Sequence, residues 1–318
     1  LFAVEEKTMS DLRVVLGGGG GAGRAIVHSL SDTGHRVRAV TRGGDARVPA
    51  GVERLAADIT TGEGAAAAVA GAEVVYMAAQ PPYHRWPREF PAMLGTVLDA
   101  VAGVGAKLVM VDNLYMYGPG PTTLREELPE RGGTRKGDVR ASMAATLRRA
   151  HAAGRVRVTI GRASDYFGPA ADNSGVTALA IAPAAAGKTI RWMGRLDRRH
   201  SVAYLPDVAR AYVVLGDESK ADGETWILPH GPAPTGAEFL ATVNSVLAHT
   251  AKTGVVSRAM LRIVSPFHRV SRESLEVGYQ WTEDFVADDA KFQRVFGPFA
   301  VTPLEEAVAT SIDWYRRG

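Results

Sequence analysis

No cysteine occurs in the 318-residue chain. Disulfides, thiolate nucleophiles and cysteine-ligated metals are thereby excluded. The eight histidines form no H-E-x-x-H and no pair four residues apart, so no metal site is expected. No apolar run approaches the roughly 18–20 residues of a helical membrane span. The opening "LFAVEEKTMSDLRVV" lacks a basic region followed by an apolar one, so it does not read as a secretory signal. Basic tracts are missing as well. Net charge is only +3, and arginines are scattered singly or in pairs such as Arg148-Arg149 and Arg198-Arg199. They read mostly as solvated surface, and no nucleic-acid partner is expected. The 35 glycines show no period, which excludes collagen-like and low-complexity readings. What remains is ordinary globular composition, 46% hydrophobic and 22% charged, long enough for a large core and a smaller lobe. Cytoplasmic residence without membrane contact is the default expectation. Residues 1–8 are read as an extra N-terminal arm or expression remnant, because Met9 is a plausible start.

Strand and helix patterns alternate through the first half. "LRVVL", "HRVRAV", "VERLAADI", "EVVYMAA", "KLVMVDN" and "RVRVTIGRASD" read as strands. Apolar-periodic helical stretches separate most of them. "GDVRASMAATL" reads as a helix start with Asp138 as its cap. This alternation predicts an α/β fold with a doubly wound parallel sheet. After about residue 170 the pattern becomes irregular, although "PDVARAYVVLGD" reads as a helix with proline at its first position. The expected division is a dinucleotide-binding core over 9–170 and, over 171–318, mainly a C-terminal substrate lobe that does not fold independently.

Gly17 to Gly23 reads GGGGGAG and satisfies both G-x-G-x-x-G and G-x-x-G-x-x-G. It follows a predicted strand and opens a predicted helix, the context a pyrophosphate-binding turn requires. Glycines allow the turn, the approach of a pyrophosphate and close helix–strand packing, while the helix N-terminus supplies positive potential. At the end of the second strand stands Arg42, with no carboxylate before Asp45. An arginine there suits a ribose 2′-phosphate, so NADP(H) is favoured over NAD(H). Asp58 ends the third strand. It is placed either to meet the adenine amino group or to cap the segment beginning near Thr60.

These stretches resemble the extended short-chain dehydrogenase/reductase family, also called the NAD-dependent epimerase/dehydratase family. "VLGGGGGAGRAIVHSL" is similar to the family's nucleotide loop and first helix, and "VVYMAAQPP" to its fourth strand and loop. "LVMVDNLYMYGPG" and "VTIGRASDYFGP" resemble the fifth and sixth strands, and "HSVAYLPDVARAY" the segment entering a later helix. "DDAKFQRVFGPFAVTPLEEAVATSIDWYRR" is similar to its C-terminal segment. The resemblance implies a Rossmann-type fold with dinucleotide contacts at Gly17, Gly18, Gly20, Gly21, Ala22, Gly23, Arg42, Asp58, Ile59, Ala78, Ala79, Met143 and Ala163. It also implies a small-molecule substrate and exposed helices of the kind that form a homodimer.

The departures concern the chemistry. The family's usual set is a serine or threonine plus Tyr-x-x-x-Lys. Here Asn113 stands at the serine position, Val139 at the tyrosine and Met143 at the lysine. None of the nine tyrosines has a lysine four residues later. Losing a general acid removes roughly 10²–10⁴-fold in rate and leaves nucleotide binding intact. Asn113, Tyr115, Asp165 and Tyr166 are the candidate substitutes, all expected at the C-terminal strand ends. Tyr83, His84, Trp86, Tyr117 and His200 are candidate substrate contacts. Where relatives acting on nucleotide sugars carry an asparagine, this chain carries Asp165, which would repel a diphosphate unless paired. Three activities fit: NADPH-dependent reduction of a ketone or enone on a small ring-containing molecule; isomerase, cyclase or dehydratase chemistry; or dinucleotide sensing without catalysis. The polar and aromatic residues kept around the crevice favour the first two over the sensor.

Overall fold

The computed structural model describes residues 11–265 and 269–317; the expected arm over 1–8 lies outside them. In chain order the elements of the core are β1 (Leu12–Leu16), α1 (Gly21–Asp32), β2 (Arg36–Thr41), β3 (Glu53–Ala56), α2 (Gly62–Val69), β4 (Val74–Met77), α3 (Trp86–Val104), β5 (Lys107–Asp112), β6 (Thr123–Leu124), α4 (Arg135–Ala152), β7 (Arg157–Arg162) and β8 (Asp165–Phe167). There follow α5 (Ala182–Ala185), β9 (Ile190–Met193), β10 (Val202–Tyr204), α6 (Leu205–Asp217), β11 (Thr225–Ile227), α7 (Gly236–Ser245), β12 (Thr253–Val256), α8 (Arg258–Val264), α9 (Arg269–Val277), β13 (Val286–Ala287), α10 (Ala290–Phe296) and α11 (Leu304–Arg316).

Seven strands form one sheet in the order β11-β7-β5-β4-β1-β2-β3, and every pairing in it is parallel. The order reverses between β1 and β4, which opens a crevice at the C-terminal strand ends. The central strands β1, β4 and β5 are buried almost throughout because helices cover both faces, whereas the edge strand β3 is largely exposed. In α3, the buried residues Trp86, Phe90, Met93, Leu94, Val97, Leu98 and Val101 recur every three or four positions and form one stripe against the sheet. Each such side chain contributes about 1.5–3 kcal/mol when fully buried. The helix stops at Gly105, whose φ of 70° is left-handed and closes the turn.

Three points differ from the sequence reading. The helix α4 is capped by Thr134, which accepts from Gly137 N, and not by Asp138; Asp138 instead accepts from Gly133 N at 3.1 Å. The sheet takes its outer strand from β11, well beyond residue 170, and α6 packs on α1. The arginines lie mostly at the surface, as expected, but Arg13, Arg140 and Arg162 are buried. The lobe has its own apolar core, containing Phe167, Trp192, Phe239 and Trp281. Among the described residues, no helix is long and apolar enough to cross a membrane.

Candidate active site

The glycine loop runs from β1 into α1. Gly17 has φ 85°, and a Cβ there would lie 2.6 Å from Ala79 N. A Cβ on Gly18 would press on Ala39 at 2.9 Å, and one on Gly21 would come 2.7 Å from Ala170 O. One on Gly23 would overlap the carbonyl of Gly17. Gly17 and Gly18 both donate to Val40 O. The first turn of α1 contains no acidic residue, so its N–H groups keep their positive potential. The glycines thus allow the loop to pack this closely on its neighbours, and the N–H groups at the start of α1 fit a dinucleotide pyrophosphate. Ala22 lies in that first turn, and Gly20 precedes it. Ala78 donates to Leu16 O and, with Ala79, walls the loop from β4.

Arg42 is exposed at the end of β2. Asp58 accepts from Thr60 N at 3.0 Å and Thr60 Oγ1 at 2.7 Å. Those bonds hold its carboxyl below the ordinary range, and the charge of Arg42 acts in the same direction. Asp58 therefore closes a turn onto Thr60, with Arg42 nearby, while α2 is capped by Thr61, whose Oγ1 accepts from Gly64 N. Ile59, Met143 and Ala163 are buried in the cores flanking the sheet.

The crevice side is built from the segments after β4, β5 and β7. Asn113 Oδ1 accepts from Tyr115 N at 3.0 Å, fixing the turn that presents Tyr115. Tyr83 donates its hydroxyl proton to the Tyr115 oxygen at 3.2 Å. The proton of Tyr115 is left for another acceptor. Burial pushes both phenols well above the ordinary range. At Tyr115 the negative charge of Asp165 adds to that effect, while Arg140 opposes it without overcoming it. Arg140, one residue beyond Val139, is thus the cation acting on these tyrosines. Lys136 lies with its ammonium 4.4 Å from the centre of the Tyr83 ring. It is held by Glu273 and Glu276 of α9.

The remaining candidates sit elsewhere. Trp86 is buried beneath Tyr83 and donates to Pro81 O at 3.1 Å. Expected as a substrate contact, it is 2% exposed and backs the Tyr83 ring. His84 is half-buried on the short turn Tyr83–Arg85. Tyr117, expected at the substrate, is buried, and its hydroxyl accepts from Arg162 Nη1 at 2.8 Å. Tyr166, expected as a catalytic group, packs against the core with Tyr212, and burial pushes its hydroxyl to about 12. Successive strand residues face opposite ways, so Asp165 and Tyr166 cannot share the crevice. Asp165 meets His200 at 2.8 Å. Val139 and Met143 are buried in the apolar cluster of α3 and α4.

Beneath the site runs a buried chain of alternating charge that the sequence reading missed. The register of β5 and β7 pairs Asp112 with Arg162. Asp112 Oδ1 accepts from Arg140 Nη1 at 3.1 Å and Oδ2 from Arg162 Nε at 3.2 Å. Arg162 Nη2 reaches Glu130 at 2.6 Å, and Glu130 takes a two-pronged bond from Arg148. Arg140 also stacks on Trp86 and Phe90 at 4.3 and 4.6 Å. The available signal was charge at 136 and 140, one turn apart, on the helix that carries the apolar Val139/Met143 face. At the Glu130 end lies a hollow of about 480 Å³ lined by carboxylates with Arg148 and Lys291, an unsuitable seat for a phosphate. Among the described residues, no group of three or more His, Asp or Glu could hold a metal.

The raised phenols have a consequence for stability. At about pH 10 and above, an unfolded chain loses its tyrosine protons, whereas Tyr83 and Tyr115 keep theirs in the folded state. The native state then binds more protons, so stability present below that pH is lost as it rises further. Denaturation midpoints followed into alkali should decline less steeply in the Tyr83→Phe/Tyr115→Phe variant. An unchanged slope would show that these phenols are not perturbed.

The family model described as NAD dependent epimerase/dehydratase matches residues 13–228. A dTDP-glucose 4,6-dehydratase from Bacillus anthracis, solved in complex with NAD, is 16% identical with a TM-score of 0.79, covering 96% of each chain. A UDP-glucose 4-epimerase from Thermotoga maritima, solved with UDP-glucose, is 18% identical with a TM-score of 0.79, covering 96% of this chain and 99% of that one. A Thermus thermophilus UDP-glucose 4-epimerase in complex with NAD is 18% identical, with a TM-score of 0.76 and the same coverage. No curated protein sequence matches the chain. The matched stretch takes in the glycine cradle, the crevice and every strand of the seven-stranded sheet but the first residue of β1. The chain is therefore an NAD(P)-dependent enzyme of the short-chain dehydrogenase/reductase type and belongs to the NAD-dependent epimerase/dehydratase family.

Proposed function

We propose that this enzyme is an NADP(H)-dependent oxidoreductase that reduces a ketone or enone of a small, ring-containing substrate. The observation that carries the reading is the tyrosine pair: Tyr83 donates to Tyr115, and the Tyr115 proton remains for a substrate oxygen. When bound, the nicotinamide supplies hydride. Tyr115 holds the carbonyl by a hydrogen bond that strengthens as negative charge grows on the oxygen. Its phenol is a weak acid here, which suits stabilising an enolate or alkoxide better than giving up a proton outright. Asn113 fixes the Tyr115 turn, and Asp165 stands within electrostatic reach of Tyr115. Tyr83, with Trp86 behind it, offers an apolar wall to a ring.

Arg42 supports the preference for NADP(H). Its replacement by alanine is expected to weaken NADPH about 10–100-fold, as loss of a charge-assisted bond of about 1.5–3 kcal/mol implies, and to leave NADH nearly unchanged. Fluorescence titration with both nucleotides measures this. Equal affinities before and after the change would remove the 2′-phosphate from the proposal. A second reading, epimerase or dehydratase chemistry with no net redox change, is supported by the likeness to the nucleotide-sugar enzymes. Net consumption of NADPH with a carbonyl substrate separates the two. Crystal structures with NADPH and NADP⁺ test both, because a crevice closed over the nicotinamide face is incompatible with hydride transfer to a substrate.

A further inference from the structure

We propose that Asp165 and His200 form one proton-carrying unit, in which His200 is the positioning residue and Asp165 presents the proton to the crevice. The argument begins with lone pairs. His200 Nδ1 lies 3.1 Å from the carbonyl oxygen of Gln280, which can only accept, so Nδ1 carries a hydrogen. His200 Nε2 lies 2.8 Å from Asp165 Oδ2. A neutral ring already protonated at Nδ1 has a lone pair at Nε2, and an ionised carboxylate has only lone pairs. Two lone pairs do not attract at that distance. The contact requires one further proton, on Nε2 or on Oδ2.

The lobe keeps the ring in that orientation. His200 is 2% exposed. It stacks on Trp281 at 3.9 Å with planes 13° apart, and on Phe285 at 5.4 Å with planes 22° apart. The edge of Trp192 closes a third side at 6.0 Å. These faces fix the plane of the ring and so the direction in which Nε2 points. The backbone is fixed too: His200 N donates to Pro234 O, and Ser201 N donates to Phe285 O. Two residues on, β10 pairs with β8 in the register Val202 to Asp165, which sets the carboxylate opposite the ring.

The open end of the unit is Asp165, whose side chain is 23% exposed. The titratable groups in its electrostatic reach are Tyr83 and Tyr115 on the crevice loops, Tyr279 on the lobe and Tyr166 on β8. Burial raises all four hydroxyls, so none of them competes to release its proton. The nearby cation is Arg140, which acts on Tyr83, Tyr115 and Tyr166. In a reduction, hydride from the reduced nicotinamide goes to the carbonyl carbon. The substrate oxygen gains an O–H bond as the shared proton leaves the pair. Solvent then restores that proton through the exposed edge of Asp165. The matching ligand group is a neutral carbonyl or hydroxyl rather than a phosphate. This part rests on the proposed function; the shared proton does not.

The test is nitrogen NMR of isotopically labelled histidine in the full-length chain, with carbon NMR of the aspartate carboxyls, between about pH 5 and 8, where an isolated imidazole loses its charge. His200→Gln assigns the histidine signals. The expected wild-type result is an Nδ1–H together with either an Nε2–H or a protonated Asp165. In Asp165→Asn, the amide can donate to Nε2, so Nε2 should carry no hydrogen while Nδ1 keeps its own. An unprotonated Nε2 beside an ionised Asp165 in the wild type would overturn the proposal, with no variant needed. NADPH titration of the same samples separates the two readings. A shared proton without NADPH binding would remove the nucleotide assignment alone, and NADPH binding without the shared proton would remove the pair alone.

Discussion

Replacing Asp112 with alanine is expected to destabilise the fold by about 3–5 kcal/mol, the range for breaking a buried ion pair from one side. The carboxylate is nearly inaccessible, and each oxygen serves a different guanidinium. Removing it strands two cations, one of them 0% exposed in its side chain. Coulomb repulsion between Arg140 and Arg162 would then act with no countercharge between them. Glu130 would partly hold Arg162, and Gln80 would still accept from Arg140. The loss should therefore fall more heavily on the site, where Arg140 faces the tyrosines, than on the lobe. Asp112→Asn, which keeps one accepting oxygen, should cost less. Urea or thermal unfolding measures both variants, and a cost below about 1 kcal/mol for Asp112→Ala, typical of an exposed pair, would show that the chain of charges contributes little.

The second large effect is kinetic. Tyr115→Phe should lower turnover of a carbonyl substrate by about 10²–10³-fold, the usual range for losing one hydrogen-bond donor aimed at a developing oxyanion. Nucleotide affinity should stay nearly constant, because the glycine cradle is built by the loop between β1 and α1 and not by the segment after β5. The ring itself is retained, so the packing on Trp86 survives. Tyr83→Phe should fall short of that loss, because it removes only the bond that orients the Tyr115 oxygen. NADPH consumption is the measurement. Equal rates for Tyr115→Phe and the wild type would remove Tyr115 from the stabilisation of the substrate oxygen.

The parallel sheet and the glycine cradle were legible because both rest on local pattern: apolar strands, a run of glycine and an amphipathic helix directly behind it. The site was legible in part. Residues at the strand ends could be named, but Tyr117 and Tyr166 turn inward. Alternation along β8 could have separated Asp165 from Tyr166. The buried arginines could not be recognised from composition, since a buried and a solvated arginine look alike in a sequence. Only the pairing of β5 with β7 sets Arg162 beside Asp112. The cap of α4 was ambiguous because Thr134 and Asp138 stand one turn apart, and both prove to hold backbone N–H groups. The Asp165–His200 contact spans 35 positions and depends on β8 lying beside β10.

The apolar face of α4 bears on what could be recovered from this chain. Val139 and Met143 pack into the same cluster as Trp86, Phe90 and Leu147. Introducing the family's pair through Val139→Tyr together with Met143→Lys would push a ring and an ammonium into that closed apolar cluster, at a cost of overpacking and of charge burial. Installing such a pair there is therefore not a single step. It works like a ratchet tooth: with the core closed over those two positions, a tyrosine and a lysine fit only if the neighbouring side chains are redrawn with them.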